Sequence, residues 1–121
     1  MAICLFVNRL KPESIGDYSE YHKEAHKTRW KSQIAAIRNA GFKICDVYVY
    51  GDLSIVIMEG DDLDACFERL GKDEDNKQWQ ALMGDFFVAS PKFDGTEIAA
   101  EKVFDLNAQY ELVGDWNKQQ E

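Results

Sequence analysis

Phe42-Lys-Ile-Cys-Asp-Val-Tyr-Val-Tyr50, then Gly51-Asp52, then Leu53-Ser-Ile-Val-Ile-Met-Glu59: this stretch decides the fold. Two β-rich runs stand on either side of a two-residue turn signal, the pattern of an antiparallel hairpin. Working outward, residues 2 to 10 are rich in Ile, Leu, Phe and Val and end at Lys11-Pro12, which reads as a first strand. Between strand and hairpin, Ser14 with Asp17 resembles a capping box, and one helix is expected from there to about Ala40. Trp30, Ile34 and Ile37 carry its apolar stripe, and Gly41 stops it. After the hairpin, Asp62 is placed to cap a helix bearing Leu63, Cys66, Phe67 and Leu70, which stops at Gly71. A polar patch, residues 72–77, leads to a shorter helix with Trp79, Leu82, Met83 and Phe86, and residues 90–95 are loop. Glu101 to Leu106 reads as a last strand.

The order is therefore βαββαβ, an α+β, ferredoxin-like protomer. With right-handed crossovers it gives a four-stranded sheet carrying both helices on one face. Strand residues on the other face, from sets such as Cys4, Phe6 and Val56, Met58, are too apolar to meet water. Two such sheets pairing into a dimeric α+β barrel would cover them, so a homodimer is expected. Residues 1–106 form the single domain. Residues 107–121 are a polar tail, apolar only at Tyr110, Leu112, Val113 and Trp116.

Composition narrows the function. Of 121 residues, 45 % are hydrophobic and 30 % charged, ordinary for a globular domain. Acidic residues number 22 against 14 scattered basic ones, a net charge of −8 that opposes nucleic acid and anionic membranes. Three cysteines without CxxC spacing indicate neither a disulfide framework nor a zinc site. There is no basic n-region with a long apolar stretch and no run long enough to span a bilayer, so the expected location is cytoplasmic. No GxSxG, P-loop or dinucleotide glycine pattern occurs, which leaves hydrolase, NTPase and Rossmann readings without support.

The chemistry-bearing residues gather in Tyr18-Ser-Glu-Tyr21-His22-Lys-Glu-Ala-His26-Lys-Thr-Arg-Trp30, which holds both histidines of the chain. Tyr18, His22, His26 and Trp30 recur every four residues and would form one helical stripe. Each carries a polar atom needing a partner, so the stripe suits the wall of a polar ligand site better than a core. Histidine suits proton transfer near neutral pH. The His22 and His26 pair could grip a metal, but no third ligand is marked, and no metal is expected. Trp79, flanked by the neutral amides of Gln78 and Gln80, offers an aromatic face beside hydrogen-bonding groups, as a pyranose requires. The cluster Asp61, Asp62 and Asp64 reads as a solvated helix start.

Phe6-Val7, Pro12, Asp17-Tyr18-x-x-x-His22, Trp30, Ala40-Gly41, Tyr48, Met58-Glu59, Gln78-Trp79-x-x-Leu82-Met83 and Val103-Phe104-x-Leu106 together resemble the L-rhamnose mutarotase family. The resemblance implies dimeric α+β barrels of ferredoxin-like protomers that interconvert sugar anomers without a cofactor. It implies a helix histidine as proton donor, with a preceding tyrosine and a later tryptophan lining the sugar pocket. Carried over, His22 and Tyr18 are the catalytic candidates, and Trp79, Gln78, Gln80, His26 and Tyr48 the substrate-binding ones. The family's His-x-x-x-Trp-Pro-Glu has one additional helical turn here between His22 and Trp30, and Lys31-Ser32 replace Pro-Glu. Cys45 and Gln80 also depart from family aromatics. Gap-free alignment from the N-terminus favours His22 over His26. The expected substrate is a 6-deoxy hexose of the L-rhamnose or L-fucose kind. The alternatives are a cofactor-independent oxygenase of the same barrel type and a non-catalytic metabolite-binding barrel.

Overall fold

The computed structural model describes residues 2–93 and 95–114. Three strands, β1 (Ala2–Arg9), β2 (Ile44–Tyr50) and β3 (Leu53–Gly60), form one antiparallel sheet in the order β1-β3-β2. The hairpin turns at Gly51-Asp52, with Tyr50 opposite Leu53. Gly51 has φ +61°, a left-handed conformation that glycine adopts without a Cβ penalty. β3 lies centrally, its Val56 between Phe6 and Val47 and its Met58 between Cys4 and Cys45. These rows face the helices and seed the core.

One expectation about the sheet faces changes here. The apolar sets Cys4, Phe6 and Val56, Met58 lie under the helices, not on the open side. The open side has the other parity, with Val7 opposite Ile55 and Ile55 opposite Tyr48. Ile3, Val7, Ile44, Tyr48 and Tyr50 are all exposed there.

The single helix expected over residues 14–40 is instead two, α1 (Ile15–Lys23) and α2 (Lys31–Asn39), with short 3-10 turns at Pro12–Ser14 and Ala25–Lys27. Ser14 stands at the N-cap of α1 without a side-chain cap bond. The break has a local cause. Thr28 is extended, its hydroxyl donates to the Ala25 carbonyl at 3.0 Å, and it accepts from the Trp30 N–H at 3.2 Å. Threonine hydroxyls compete with helical hydrogen bonds in this way. The restart turns Trp30 inward, 8 % exposed, against Trp79. Gly41 ends α2 at φ +108°.

Asp62 caps α3 (Leu63–Lys72) by accepting from the Ala65 N–H, and α3 runs on through Gly71. Asp73 then caps α4 (Glu74–Gly84) by accepting from the Asn76 N–H. Past α4 the chain returns to the sheet. Lys11 N–H donates to the Phe86 carbonyl and Val88 N–H to the Arg9 carbonyl, around a Leu10–Phe87 bridge.

The last strand does not form among the described residues. Ala100 N–H donates to the Leu5 carbonyl at 2.7 Å, but no ladder follows at residues 101–105. Asp105 accepts from the Ala108 N–H instead and caps α5 (Leu106–Val113), which begins at the last residue of the expected strand and runs into the stretch expected to be tail. Trp116 lies outside the described residues. No described helix is long and apolar enough to cross a membrane.

Two buried clusters result. One packs Phe6, Phe42, Val56, Met58, Phe67 and Leu70 between sheet, α2 and α3. The other packs Leu10, Tyr18, Trp30, Trp79, Met83 and Phe87. Between them lies a cavity.

Candidate active site

The cavity has a volume of about 240 Å³. Val47, Val56 and Met58 of the sheet floor it, and α1, the 3-10 turn after it, α2 and α4 supply its walls. That volume falls below the about 300–1,000 Å³ of sites for drug-sized ligands, so the space suits a small molecule.

Tyr18 and His22, one turn apart on α1, both line it. Tyr18 is buried, its hydroxyl 2.7 Å from Ser54 Oγ on β3. Burial pushes its phenol up to about 12, the Ser54 hydrogen bond opposing and Cys45 adding slightly. Tyr18 is therefore a neutral, anchored hydroxyl. Its ring packs on His22 with centroids 4.3 Å apart.

His22 Nδ1 lies 2.7 Å from the Tyr18 backbone carbonyl. A carbonyl only accepts, so Nδ1 carries the proton and the neutral ring keeps its lone pair on Nε2. Burial pushes the imidazole below its ordinary 6.5, with the carbonyl hydrogen bond opposing. A half-buried histidine held neutral with Nε2 as acceptor is a general base in form. The Trp79 ring stands edge-on to it at 5.1 Å, and Trp30 packs on Trp79, also at 5.1 Å.

His26 also lines the cavity, from the 3-10 turn and more exposed than His22. The break after Lys23 takes the two histidines off a common helix, so their four-residue spacing no longer describes their geometry. Among the described residues no three His, Cys, Asp or Glu side chains are placed to hold a metal ion. Gln80 lines the cavity and donates to Asn76 Oδ1 at 3.3 Å. Gln78 does not line it and accepts from Arg29, whose guanidinium lies over the Trp30 ring. Tyr48 does not line it either, because strand alternation turns it to the open face. Cys45 does, and burial pushes its thiol up to about 11, with Asp46 and Cys4 adding, so it stays protonated.

Three polar residues escape the sequence pattern. Ser54 stands on β3 in parity with Val56 and Met58, and a serine among inward apolar positions is the signal that marks it. Gln33 sits three residues after Trp30 on an otherwise apolar stripe and is 3 % exposed. Asn76, equally buried, bridges α2, α3 and α4 through Gln33, Leu70 and Gln80.

The family model described as L-rhamnose mutarotase matches residues 3–106. An L-rhamnose mutarotase from Formosa agariphila superposes with a TM-score of 0.62 at 18 % identity, over 88 % of this chain and 99 % of that one. The tetracenomycin F2 cyclase of Streptomyces glaucescens, a type-II polyketide cyclase, superposes at 0.53 with 19 % identity, over 87 % and 96 % of the two chains. At such identities the two structures share the fold with this chain. No curated protein sequence matches it.

Proposed function

The chain belongs to the L-rhamnose mutarotase family, and from that premise we propose that it interconverts the α and β anomers of a 6-deoxy hexose such as L-rhamnose or L-fucose. The observation that carries the reading is His22, fixed by the Tyr18 carbonyl as an Nδ1–H tautomer at the wall of a small cavity. Its Nε2 takes the anomeric O–H proton as the C1–ring-oxygen bond breaks, giving an aldehyde. The ring oxygen gains a proton, from the imidazolium or from water at the mouth, and becomes a hydroxyl. Rotation about C1–C2 and the reverse steps close the ring on the other face. Tyr18 positions His22 through its ring and backbone carbonyl. Trp79 and Gln80 meet the sugar, and His26 offers it a more exposed imidazole. The apolar floor of Val56 and Met58 suits a methyl where other hexoses carry a hydroxymethyl.

The same floor favours a second reading, a cofactor-independent oxygenase acting on a small apolar substrate. One experiment decides between the two: saturation-transfer NMR of anomer exchange over a panel of free sugars. Acceleration of a 6-deoxy hexose is expected, and a chain that accelerates no sugar removes the mutarotase reading. A homodimer through the open sheet face belongs to the proposal, since Ile3, Val7, Ile44, Tyr48 and Tyr50 otherwise meet water.

A further inference from the structure

Gln33 Oε1 is buried and has no hydrogen-bond partner among the described residues. The oxygen end of this amide is fixed by its neighbours. The Leu70 carbonyl can only accept, so the Asn76 atom 3.0 Å from it is the donor Nδ2. Asn76 therefore turns Oδ1 the other way, where it accepts from Gln33 Nε2 at 2.9 Å and from Gln80 Nε2 at 3.3 Å. The Asp73 carboxylate, accepting from the Asn76 N–H at 2.9 Å, locks the residue at the start of α4. Gln33 has its nitrogen committed, and its carbonyl is left as an acceptor without a donor.

Gln33 also lines the cavity, and among the described residues no Lys, Arg, Asp or Glu does. An orphaned buried acceptor costs free energy until something donates to it. We propose that Gln33 is a specificity-determining residue whose Oε1 accepts a hydrogen bond from one hydroxyl of a neutral, hydroxyl-bearing ligand. Carboxylated and phosphorylated sugars are excluded by the same logic: the amide oxygen repels acceptor-only groups, and no cation offsets their charge. This assignment rests on the sugar-binding reading above and adds to it a group that reads one hydroxyl of the ligand.

The test titrates L-rhamnose, L-fucose and their monodeoxy analogues into the chain and into Gln33→Met, following the fluorescence of Trp30 and Trp79 at the cavity wall. Met keeps the volume and removes the acceptor. The dissociation constant for the sugar that binds should rise about tenfold in Gln33→Met, the size of one hydrogen bond in a buried site. One monodeoxy analogue should lose the same factor against the unsubstituted chain, and Gln33→Met should bind that analogue and its parent sugar alike. Equal affinity of chain and variant for every sugar overturns the assignment, and so does a loss spread evenly over all analogues. Should Gln33→Met not fold, Gln33→Glu replaces it. One of its oxygens takes the place of Oε1 and the other, protonated in that buried setting, donates to Asn76. Discrimination between sugar and deoxy analogue must then persist, and its disappearance from folded Gln33→Glu counts against the proposal. Anomer exchange on the same sugars separates the two readings. Hydroxyl-selective loss without exchange leaves Gln33 in place and removes the mutarotase; exchange without selective loss does the reverse; a chain that binds no sugar removes both.

Discussion

Replacing His22 by alanine separates chemistry from scaffold, because the two losses differ in size. On the stability side, His22→Ala removes ring contacts to Tyr18 at 4.3 Å and Trp79 at 5.1 Å, each worth about 0.5–1.5 kcal/mol. A domain of ordinary stability, about 5–15 kcal/mol, that loses as much as about 3 keeps at least about 97 % of its molecules folded. Unfolding thus cannot lower a rate by more than a few per cent. On the chemical side, losing a positioned general base costs about 10²–10⁴ in rate, or about 2.7–5.4 kcal/mol of barrier at about 1.36 per decade. Saturation-transfer NMR on the best sugar, with circular dichroism to confirm the fold, reads the two effects separately. The pH profile adds an independent sign. Burial holds the His22 pKa below 6.5, so the neutral base is the dominant form at pH 7. The rate should be flat above about pH 6.5 and fall only as acid protonates Nε2. Linkage gives stability the same direction: the contribution of His22 is fully present above about 6.5 and is lost as pH falls through its lowered folded value. Full exchange rate in folded His22→Ala refutes the mechanism, as does a rate in the unsubstituted chain still climbing between pH 7 and 9.

Ser54→Ala strips the buried Tyr18 hydroxyl of its partner and should cost about 1–3 kcal/mol in urea denaturation, with Tyr18→Phe/Ser54→Ala costing less than the sum of the single changes; strict additivity would mean that the pair is not coupled. Gly41→Ala should destabilise more than Gly51→Ala. Both glycines have positive φ, but a Cβ at Gly41 would meet Arg69 Nη2 at 2.8 Å and Cys66 Sγ at 3.0 Å, whereas Gly51 faces open space; equal midpoints would contradict this. Sedimentation at micromolar concentration should report about twice the 13.9 kDa chain mass, and Val7→Asp on the open face should return it to the single-chain value; a folded monomer before any substitution counts against the barrel. Anomer exchange should survive EDTA, since the described residues offer no three-ligand metal group; loss of activity restored by a metal ion would reverse that expectation.

The parts of the fold legible in the sequence are those with short-range physical causes. Gly51-Asp52 between alternating runs gave the hairpin, Asp62 before an apolar stripe gave a cap, and Gly41 gave a helix end. The break after Lys23 was hidden because the run to Ala40 keeps helical spacing, and the competing hydrogen bonds come from a single hydroxyl, Thr28. At residues 101–106 three apolar residues among three charged ones fit strand and loop equally well, and the Asp105 cap three residues before Ala108 was the better clue. In the site, the proximity of Tyr18 and His22 follows from one helical turn. Tyr48 lies elsewhere because strand parity, invisible without register, turns it outward. Gln33 is hard to read from spacing because its neighbours Trp30, Ile34 and Ile37 dominate the stripe, although a lone amide among them is the informative residue.

The clasp between Arg9–Lys11 and residues 86–88 bears on the order in which this protein comes together. It joins the end of the first strand to a segment that follows all three strands and α3 in the chain and is therefore synthesised after them. Loop closure over so long a separation is entropically late. The hairpin can pair with β1 and bury Phe6, Val56 and Met58 while Met83 and Phe87 are still undocked. The expected order is therefore sheet first and cavity wall later, with Phe87 reaching the cavity through contacts that span more than seventy residues. In hydrogen exchange, the amides of Lys11 and Val88 should report the closing of the cavity, while those of β3 report the sheet.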